Sequence, residues 1–361
     1  MPNSKEIILI TGCSGRVGMS VIERFGGKYP IVGFDIAPPS KQFENMEFVK
    51  VDLSSDLSVK NGLDYIKEKY GRRILSVIHL AAYYSFSDDS PVLYDKITVK
   101  GTERLLKGIK QFDTEQFIFS STMLIYKPCV IGETIDENST ISSQWNYPAS
   151  KIKTEKVIRE LHGNIPYVIL RIAGCYDEEC HSIPISNQIQ RIFEGQLESR
   201  FFPGDKRAKT SFLHLKDLSE AIWLSVEKRK ELPKEVELNI GEEAALSYDE
   251  LQRKISKLIS GSEMSTIRIP KWFAKMGSWV QSQLPCMKES FIKPWMIDLA
   301  DNNYVLDTTK AKEVLGWKPK QFVGDVLPKM IHSLKKDPSH WYKENSLLPP
   351  ACLTKKCGDH E

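Results

Sequence analysis

The chain has 361 residues, with 50 Lys and Arg against 47 Asp and Glu, a formal charge of +3 spread along its length. That balance excludes the concentrated basic surface of a nucleic-acid binder. Hydrophobic residues at 41% and charged residues at 27% are those of a soluble globular protein, long enough for two lobes or one large α/β unit, and no apolar run approaches the ~18 residues that span a bilayer.

The chain opens on "EIILITG", a short strand-like run with no signal peptide before it, which predicts a cytoplasmic location. Through residue 180, apolar runs rich in Val, Ile and Phe alternate with segments of helical length. The runs are "IILIT", "IVGFD", "MEFVKVD", "SVIHLAA", "QFIFSST" and "YVILRIAG"; the helices are predicted from Arg16 to Phe25, Leu57 to Tyr70 and Tyr94 to Lys110. This alternation predicts a Rossmann-type, doubly wound parallel sheet in an α/β fold. Runs that are apolar throughout fit strands covered on both faces.

Gly12, Gly15 and Gly18 in "ILITGCSGRVGMSVIERF" fall between the first strand and the first helix. Dinucleotide binding needs a tight turn there, close backbone approach to a pyrophosphate, and a helix N-terminus aimed at its charge. The second strand ends in Asp35, 23 residues after Gly12. An acid at about that distance accepts hydrogen bonds from the ribose hydroxyls and repels a 2′-phosphate, which favours NAD over NADP. Arg16 in the turn works slightly against that preference, because a cation there suits a phosphate.

A further helix is predicted in "QWNYPASKIKTEKVIREL", with Pro148 suited to its first position and Gly163 beyond its end. It places Tyr147 and Lys151 one turn apart on the same face. A positive charge ~4 Å away is worth about 4 kcal/mol at an effective dielectric of 20. That is enough to bring a phenol from its ordinary pKa near 10 into the working range of a base. The pair therefore predicts a tuned acid–base.

From about residue 181 the pattern becomes irregular. "TSFLHL" and "VELNIG" read as later strands, and the Pro-broken, aromatic stretch "RIPKWFAKMGSWVQSQLP" followed by "FIKPWM" reads as a helical core, a substrate-covering cap, or both. The predicted organisation is a cofactor-binding domain over 1–180, a substrate-binding lobe over 181–345 partly interleaved with the sheet, and a flexible tail over 346–361. Cys175, Cys180 and His181 cluster, as do Cys352, Cys357 and His360. Neither group has the paired CxxC spacing of a closed zinc site, so reduced thiols and no metal are expected.

The GxxGxxG spacing, the YxxxK pair, "HLAA" at 79–82 and "FIFSSTMLIY" at 117–126 resemble the extended short-chain dehydrogenase/reductase family, the NAD-dependent epimerase/dehydratase group. Asp52–Leu53, "HLKDLSEAI" at 214–222 and "YVLDTTKAKEVLGWKP" at 304–319 extend the resemblance to roughly residues 5 to 320. It implies NAD held by Gly12, Ser14, Gly15, Arg16, Val17 and Gly18 at the pyrophosphate and Asp35 at the ribose. It further implies Asp52 and Leu53 at the adenine, with Leu80, Ala81, Ala82 and Ser120 toward the nicotinamide. Thr122 matches the family's catalytic Ser/Thr, four residues before Tyr126, with Ser120 and Ser121 close enough to be confused with it. Tyr147 would take the proton of a substrate hydroxyl as hydride leaves its carbon. Lys151 would hold the nicotinamide ribose and lower the Tyr147 pKa.

Three departures from the family pattern touch the surroundings of the nicotinamide. Thr98 stands where the helix motif has asparagine, Ala173 where a proline usually follows Arg171-Ile172, and Lys127 where a glycine follows the tyrosine. Met123 and Leu124 cannot move protons, so a sugar 4,6-dehydratase is not expected. Epimerisation of a nucleotide sugar is preferred. The alternatives are a dehydrogenase of a hydrophobic alcohol, resembling the 3β-hydroxysteroid type, and a catalytically silent NAD-binding scaffold. "GDKRAKTSFLHLKDL", with Arg207 as a phosphate ligand, resembles a nucleotide-holding segment; a solvated basic loop explains Arg207 slightly better. His214 and Asp217 read as structural. The resemblance also implies a homodimer.

Overall fold

The computed structural model describes residues 6–85, 90–276 and 294–350. β1 (Ile7–Thr11) leads into α1 (Arg16–Phe25), followed by β2 (Ile31–Asp35), β3 (Met46–Lys50), α2 (Asp56–Tyr70) and β4 (Arg73–His79). A helical segment then runs through α3 (Pro91–Leu93), a π-helical turn over Tyr94–Val99 and α4 (Lys100–Ile109). β5 (Asp113–Thr114), β6 (Phe117–Thr122), α5 (Asn146–Leu161), β7 (Tyr167–Ile172) and β8 (Gly174–Tyr176) complete the first half.

The main sheet runs in the order β3-β2-β1-β4-β6-β7; the short β9 (Phe201–Pro203), β10 (Lys209–Thr210) and β11 (Phe212–His214) stay off it, and β7 is flanked by β12 (Glu235–Ile240), a strand from the later half. All its pairings are parallel, with the short β5 beside the start of β4. The chain winds outward from β1 to β3, then restarts on the other side of β1 at β4. That reversal leaves a crevice outside the carboxyl ends of β1 and β4, where open α/β sheets bind ligands.

Side chains alternate along each strand, so the sheet has two apolar faces. Ile8 and Ile10 pack with Val21, Ile22 and Phe25 of α1. Leu218, Ile222 and Val226 of α7 (Leu215–Glu227) join that layer. On the other face Ile7 and Leu9 pack with Leu63 and Ile66 of α2, Leu105 and Ile109 of α4, and Ile158 of α5. A third core lies beyond the sheet, among α6 (Ile183–Phe193), α8 (Tyr248–Ser260) and helices over Val323–Lys336 and Pro338–Glu344. No helix of the described residues is long and apolar enough to cross a membrane.

The structure departs from the expected elements in three places. The helix carrying Tyr147 starts at Asn146, two residues before Pro148. The segment expected as one helix from Tyr94 is interrupted by the π turn, a feature common at functional sites. Residues just after 345 are held rather than loose: Leu347 N donates to Tyr342 O at 2.8 Å, and its side chain packs on the third core. Cys352, Cys357 and His360, and the aromatic stretch over 277–293, lie outside the described residues.

Candidate active site

The glycine turn closes β1 onto α1. Gly12 has φ +75° and donates its N–H to Phe34 O at 2.8 Å. A Cβ at Gly12 would lie 2.8 Å from Ala81 N, and one at Gly18 would lie 2.2 Å from Gly12 O. Both glycines are demanded by the protein's own packing. Gly15 is different: a Cβ there would meet only Gly12 O, at 3.5 Å. Gly15 caps α1 with no side chain over the helix N-terminus, and no acid lies in the first turn. Open backbone N–H groups, a bare approach and a helix dipole fit a pyrophosphate.

Asp35 stands at the carboxyl end of β2, with Oδ2 accepting from Ser14 N at 3.0 Å and Oδ1 from Ile36 N at 2.8 Å. Those bonds hold an anionic acceptor beside the turn, as a ribose diol requires. Ser14 Oγ donates to Ala37 O at 2.5 Å, tying the turn to the same loop. Val17 packs against the first core. Leu53 is buried against Gly101, and the exposed Asp52 accepts from Ser54 N at 2.8 Å. Leu80 N and Ala81 N donate to Thr11 O (3.1 Å) and Thr11 Oγ1 (3.3 Å), so the 80–82 segment continues from β4 alongside the turn. Buried His79 bonds Thr11 Oγ1 at 2.7 Å and Thr102 Oγ1 at 2.8 Å. Burial pushes its pKa down to about 3, so it is a fixed neutral strut.

Arg16 departs from the expected set. Its guanidinium is taken by His181 Nε2 at 2.5 Å and Glu344 O at 2.9 Å, with the Glu344 carboxylate at 3.5 Å. The cation that argued for a 2′-phosphate is thus engaged elsewhere, and Asp35 stands without it.

At the carboxyl end of β6 the three neighbouring hydroxyls have separate partners. Ser120 Oγ donates to His79 O at 3.4 Å, Ser121 Oγ to Glu155 Oε1 at 2.6 Å, and Thr122 Oγ1 accepts from Leu124 N at 3.3 Å while lying beside the phenol of Tyr147. Lys151 is 2% exposed; its Nζ donates to Ser120 O at 2.7 Å and lies 5.8 Å from the Tyr147 ring centroid. Thr122, Tyr147 and Lys151 therefore meet at one point, although Thr122 comes from the sheet and the other two from α5.

The charge relation between them differs from expectation. Burial pushes the Tyr147 phenol up, and neighbouring Tyr84 and Cys175 add to that; only the nearby Thr122 hydroxyl works downward. Burial also pulls Lys151 down to about 7, against the pull of Glu155. The physical reason is desolvation: the ammonium expected to stabilise a phenolate is itself buried, and it spends its hydrogen bond on a backbone carbonyl. In the protein alone Tyr147 is held as a protonated phenol.

Sequence reasoning missed the wall around this phenol. The Tyr84 ring lies edge-on to Tyr147, with centroids 4.9 Å apart at 83°; Trp145 lies at 5.5 Å and Tyr94 at 6.4 Å. The adjacent tyrosines after "HLAA" were the available signal. Glu155 was missed as well. It is 1% exposed and bound by Arg171 at 2.9 Å, Arg159 at 2.9 Å and Ser121, joining α5 to β6 and β7. Its position one helical turn after Lys151 was the clue.

The departures from the family pattern have local explanations. Thr98 Oγ1 accepts from Tyr83 N at 3.0 Å, and Ala173 donates its N–H to Ile240 O at 2.9 Å, a bond proline could not make. Lys127 N donates to Thr140 O at 2.8 Å. Arg207 is 74% exposed in its side chain and paired with Asp205 at 2.6 Å. His214 caps α7 by accepting from Lys216 N at 3.1 Å, while Asp217 accepts from Lys320 N (3.0 Å) and Gln321 N (2.8 Å); both hold the fold. Glu179, His181 and Glu344 form the one group among the described residues with metal-like spacing. The Arg16 guanidinium lies among them, in the place a cation would take.

Residues 8–241 match the model of the NAD dependent epimerase/dehydratase family. The chain is 25% identical to the dTDP-4-dehydro-6-deoxyglucose reductase of Escherichia coli, over 93% of this chain and 99% of that protein. It is 23% identical to the UDP-glucose 4-epimerase of Halalkalibacterium halodurans, over 94% and 96%. The solved structure of MoeE5 in complex with UDP-glucose and NAD covers 92% of this chain and 100% of its own, with a TM-score of 0.69 at 19% identity. The chain belongs to the NAD dependent epimerase/dehydratase family, enzymes of the extended short-chain dehydrogenase/reductase type, and its cofactor is NAD.

Proposed function

We propose that the chain oxidises and re-reduces a secondary hydroxyl of a nucleotide sugar, acting as an epimerase. The observation that carries this is the meeting of Thr122, Tyr147 and Lys151 at the carboxyl edge of β6, beside the crevice formed by the glycine turn and the 80–82 segment. The family likeness to sugar-nucleotide enzymes supports the substrate class.

Asp35 and the N-terminus of α1 would hold the adenosine ribose and pyrophosphate, and Asp52 and Leu53 the adenine. Leu80, Ala81, Ala82 and Ser120 would lie toward the nicotinamide. Bound NAD supplies the hydride acceptor. Thr122, beside Tyr147, orients the reacting oxygen. Tyr147 exchanges a proton with that oxygen, and Lys151, with its lowered pKa, supplies charge or a proton beside it. The Tyr84 and Trp145 rings flank the phenol and offer a flat face to a ring-shaped substrate.

One observation favours a second reading, a dehydrogenase of a hydrophobic alcohol. Arg207 is already paired, and Trp272 and Phe273 are at least half exposed in the lobe expected to cover the substrate. Purified protein should be incubated with a panel of UDP- and dTDP-hexoses and with hydrophobic secondary alcohols. Epimerised sugar at a constant NADH signal supports the first reading. Accumulation of NADH with an alcohol supports the second and sinks the first. A cytosolic homodimer is the accompanying reading, which sedimentation velocity tests by mass.

A further inference from the structure

The glycine turn is bound from outside by residues distant in sequence. Arg16 is the first residue of α1, directly after the bare N-cap at Gly15. Its guanidinium meets His181 Nε2, Glu344 O and the Glu344 carboxylate. His181 follows β8, the strand that leaves the carboxyl edge of the sheet and carries Cys175 near Tyr147. Its Nδ1 is bonded to Asp177 Oδ2 at 2.6 Å, leaving Nε2 to face Arg16. Asn345 then ties the two outer segments together: its Oδ1 accepts from His181 N at 2.9 Å and its Nδ2 donates to Glu179 O at 3.0 Å.

The backbone is bent to make this contact. Cys180 and His181 have φ of +87° and +43°, and Ser346 has +56°, the only non-glycine residues with positive φ among those described. Left-handed backbone at bulky residues persists only where surrounding contacts hold it, and it concentrates at ligand clamps. Here two such residues lead straight to the Arg16 contact.

We propose that Arg16, His181 and the Glu344–Asn345 segment form a latch across the pyrophosphate end of the crevice, which slows the release of NAD. It deepens the reading above and rests on NAD lying at the N-terminus of α1. The segment from Cys175 to His181 runs from beside Tyr147 to the start of α1. Once joined to Arg16 it bars the crevice from the acid–base end to the phosphate end. An enzyme that reduces and reoxidises the same cofactor within one turnover gains from keeping it bound.

The test is the dissociation rate of NADH from the whole enzyme, read by stopped-flow fluorescence while excess NAD displaces it. Arg16→Ala, His181→Gln and Asn345→Ala are compared with wild type, with thermal melts confirming that each folds. The latch predicts release faster by roughly tenfold or more in each variant. The Arg16→Ala/Asn345→Ala pair should release NADH no faster than the faster single variant, because one contact is being opened. Direct phosphate binding by Arg16 predicts the opposite sign for His181→Gln and Asn345→Ala. Those changes free the guanidinium, so release would slow, and that result overturns the latch. Unchanged rates in all three variants overturn it as well while leaving NAD binding intact. A wild-type protein that binds no NADH would overturn both the latch and the cofactor placement beneath it.

Discussion

Replacing Gly15 and Gly18 separately with alanine divides the duties of the glycine turn. Gly15 has φ −73° and ψ 162°, ordinary values for alanine, and a Cβ there meets nothing closer than 3.5 Å. Alanine narrows the unfolded chain's freedom, worth about 0.4–1 kcal/mol. It is also a poorer N-cap than glycine, so the two effects roughly cancel. Gly15→Ala should therefore fold with stability within about 1 kcal/mol of wild type. At Gly18 a Cβ would sit 2.2 Å from Gly12 O and 2.8 Å from Cys13 Cα, both backbone atoms of the turn. Relief requires moving the turn, at a cost of at least about 1–3 kcal/mol. The two variants are compared by urea unfolding and by fluorescence titration with NADH. Gly15→Ala should lose at least about tenfold in NADH affinity, ~1.4 kcal/mol, with its unfolding midpoint almost unmoved. Gly18→Ala should lose both. A Gly15→Ala protein with wild-type NADH affinity would refute the idea that this glycine is kept bare for the cofactor.

Tyr147→Phe should retain NADH binding and lose turnover by about 10²-fold or more, the usual worth of a positioned acid–base; steady-state rates with any accepted substrate read this. Glu155→Ala leaves the 2%-exposed Arg171 without its carboxylate and should destabilise the fold by about 3–5 kcal/mol, measured by urea unfolding. Glu242 provides a pH test. Burial raises its carboxyl from 4.5 to about 8, so between those values the folded chain holds a proton that the unfolded chain has lost. Stability from this group is complete below pH 4.5 and lost as pH rises through 8, at about 1.4 kcal/mol per pH unit. Glu242→Gln keeps an acceptor for Val323 N and cannot ionise. Its melting temperature should fall less than that of wild type between pH 5 and 8.5, and parallel curves would count against the assignment.

Much of the sheet was legible because its strands are local, apolar and separated by helices of ordinary length. The first helix was read at its observed bounds, Arg16 to Phe25, from the glycines before it and the apolar stripe along it. The π turn over Tyr94–Val99 was not legible, since one inserted residue leaves a helical pattern nearly unchanged. The place of β12 beside β7 could not be read either, because 62 residues separate Ile172 from Glu235 and nothing local records the pairing. In the site, contiguous motifs picked out the candidates: the glycine turn, Asp35, Thr122, Tyr147 and Lys151. Those recruited from far along the chain were missed. Arg16 was assigned a phosphate because its partners His181 and Glu344 lie 165 and 328 residues away. The Tyr147 phenol was expected to be low because spacing shows a nearby lysine but not the burial of that lysine or the rings around the phenol.

β12 has a consequence for expression and for proteolysis. Its six residues, Glu235–Ile240, cover one side of β7 along its whole length, and α7, which precedes it, covers α1. A fragment ending near residue 180 would keep the glycine turn, Asp35 and the Tyr147–Lys151 pair. It would also expose the apolar edge of β7, "YVILRI", to any other chain in solution. Such an edge templates aggregation. The nucleotide-binding half should therefore be insoluble when made alone, and a nick in the loop before β12 should unfold the cofactor site rather than release a separate lobe.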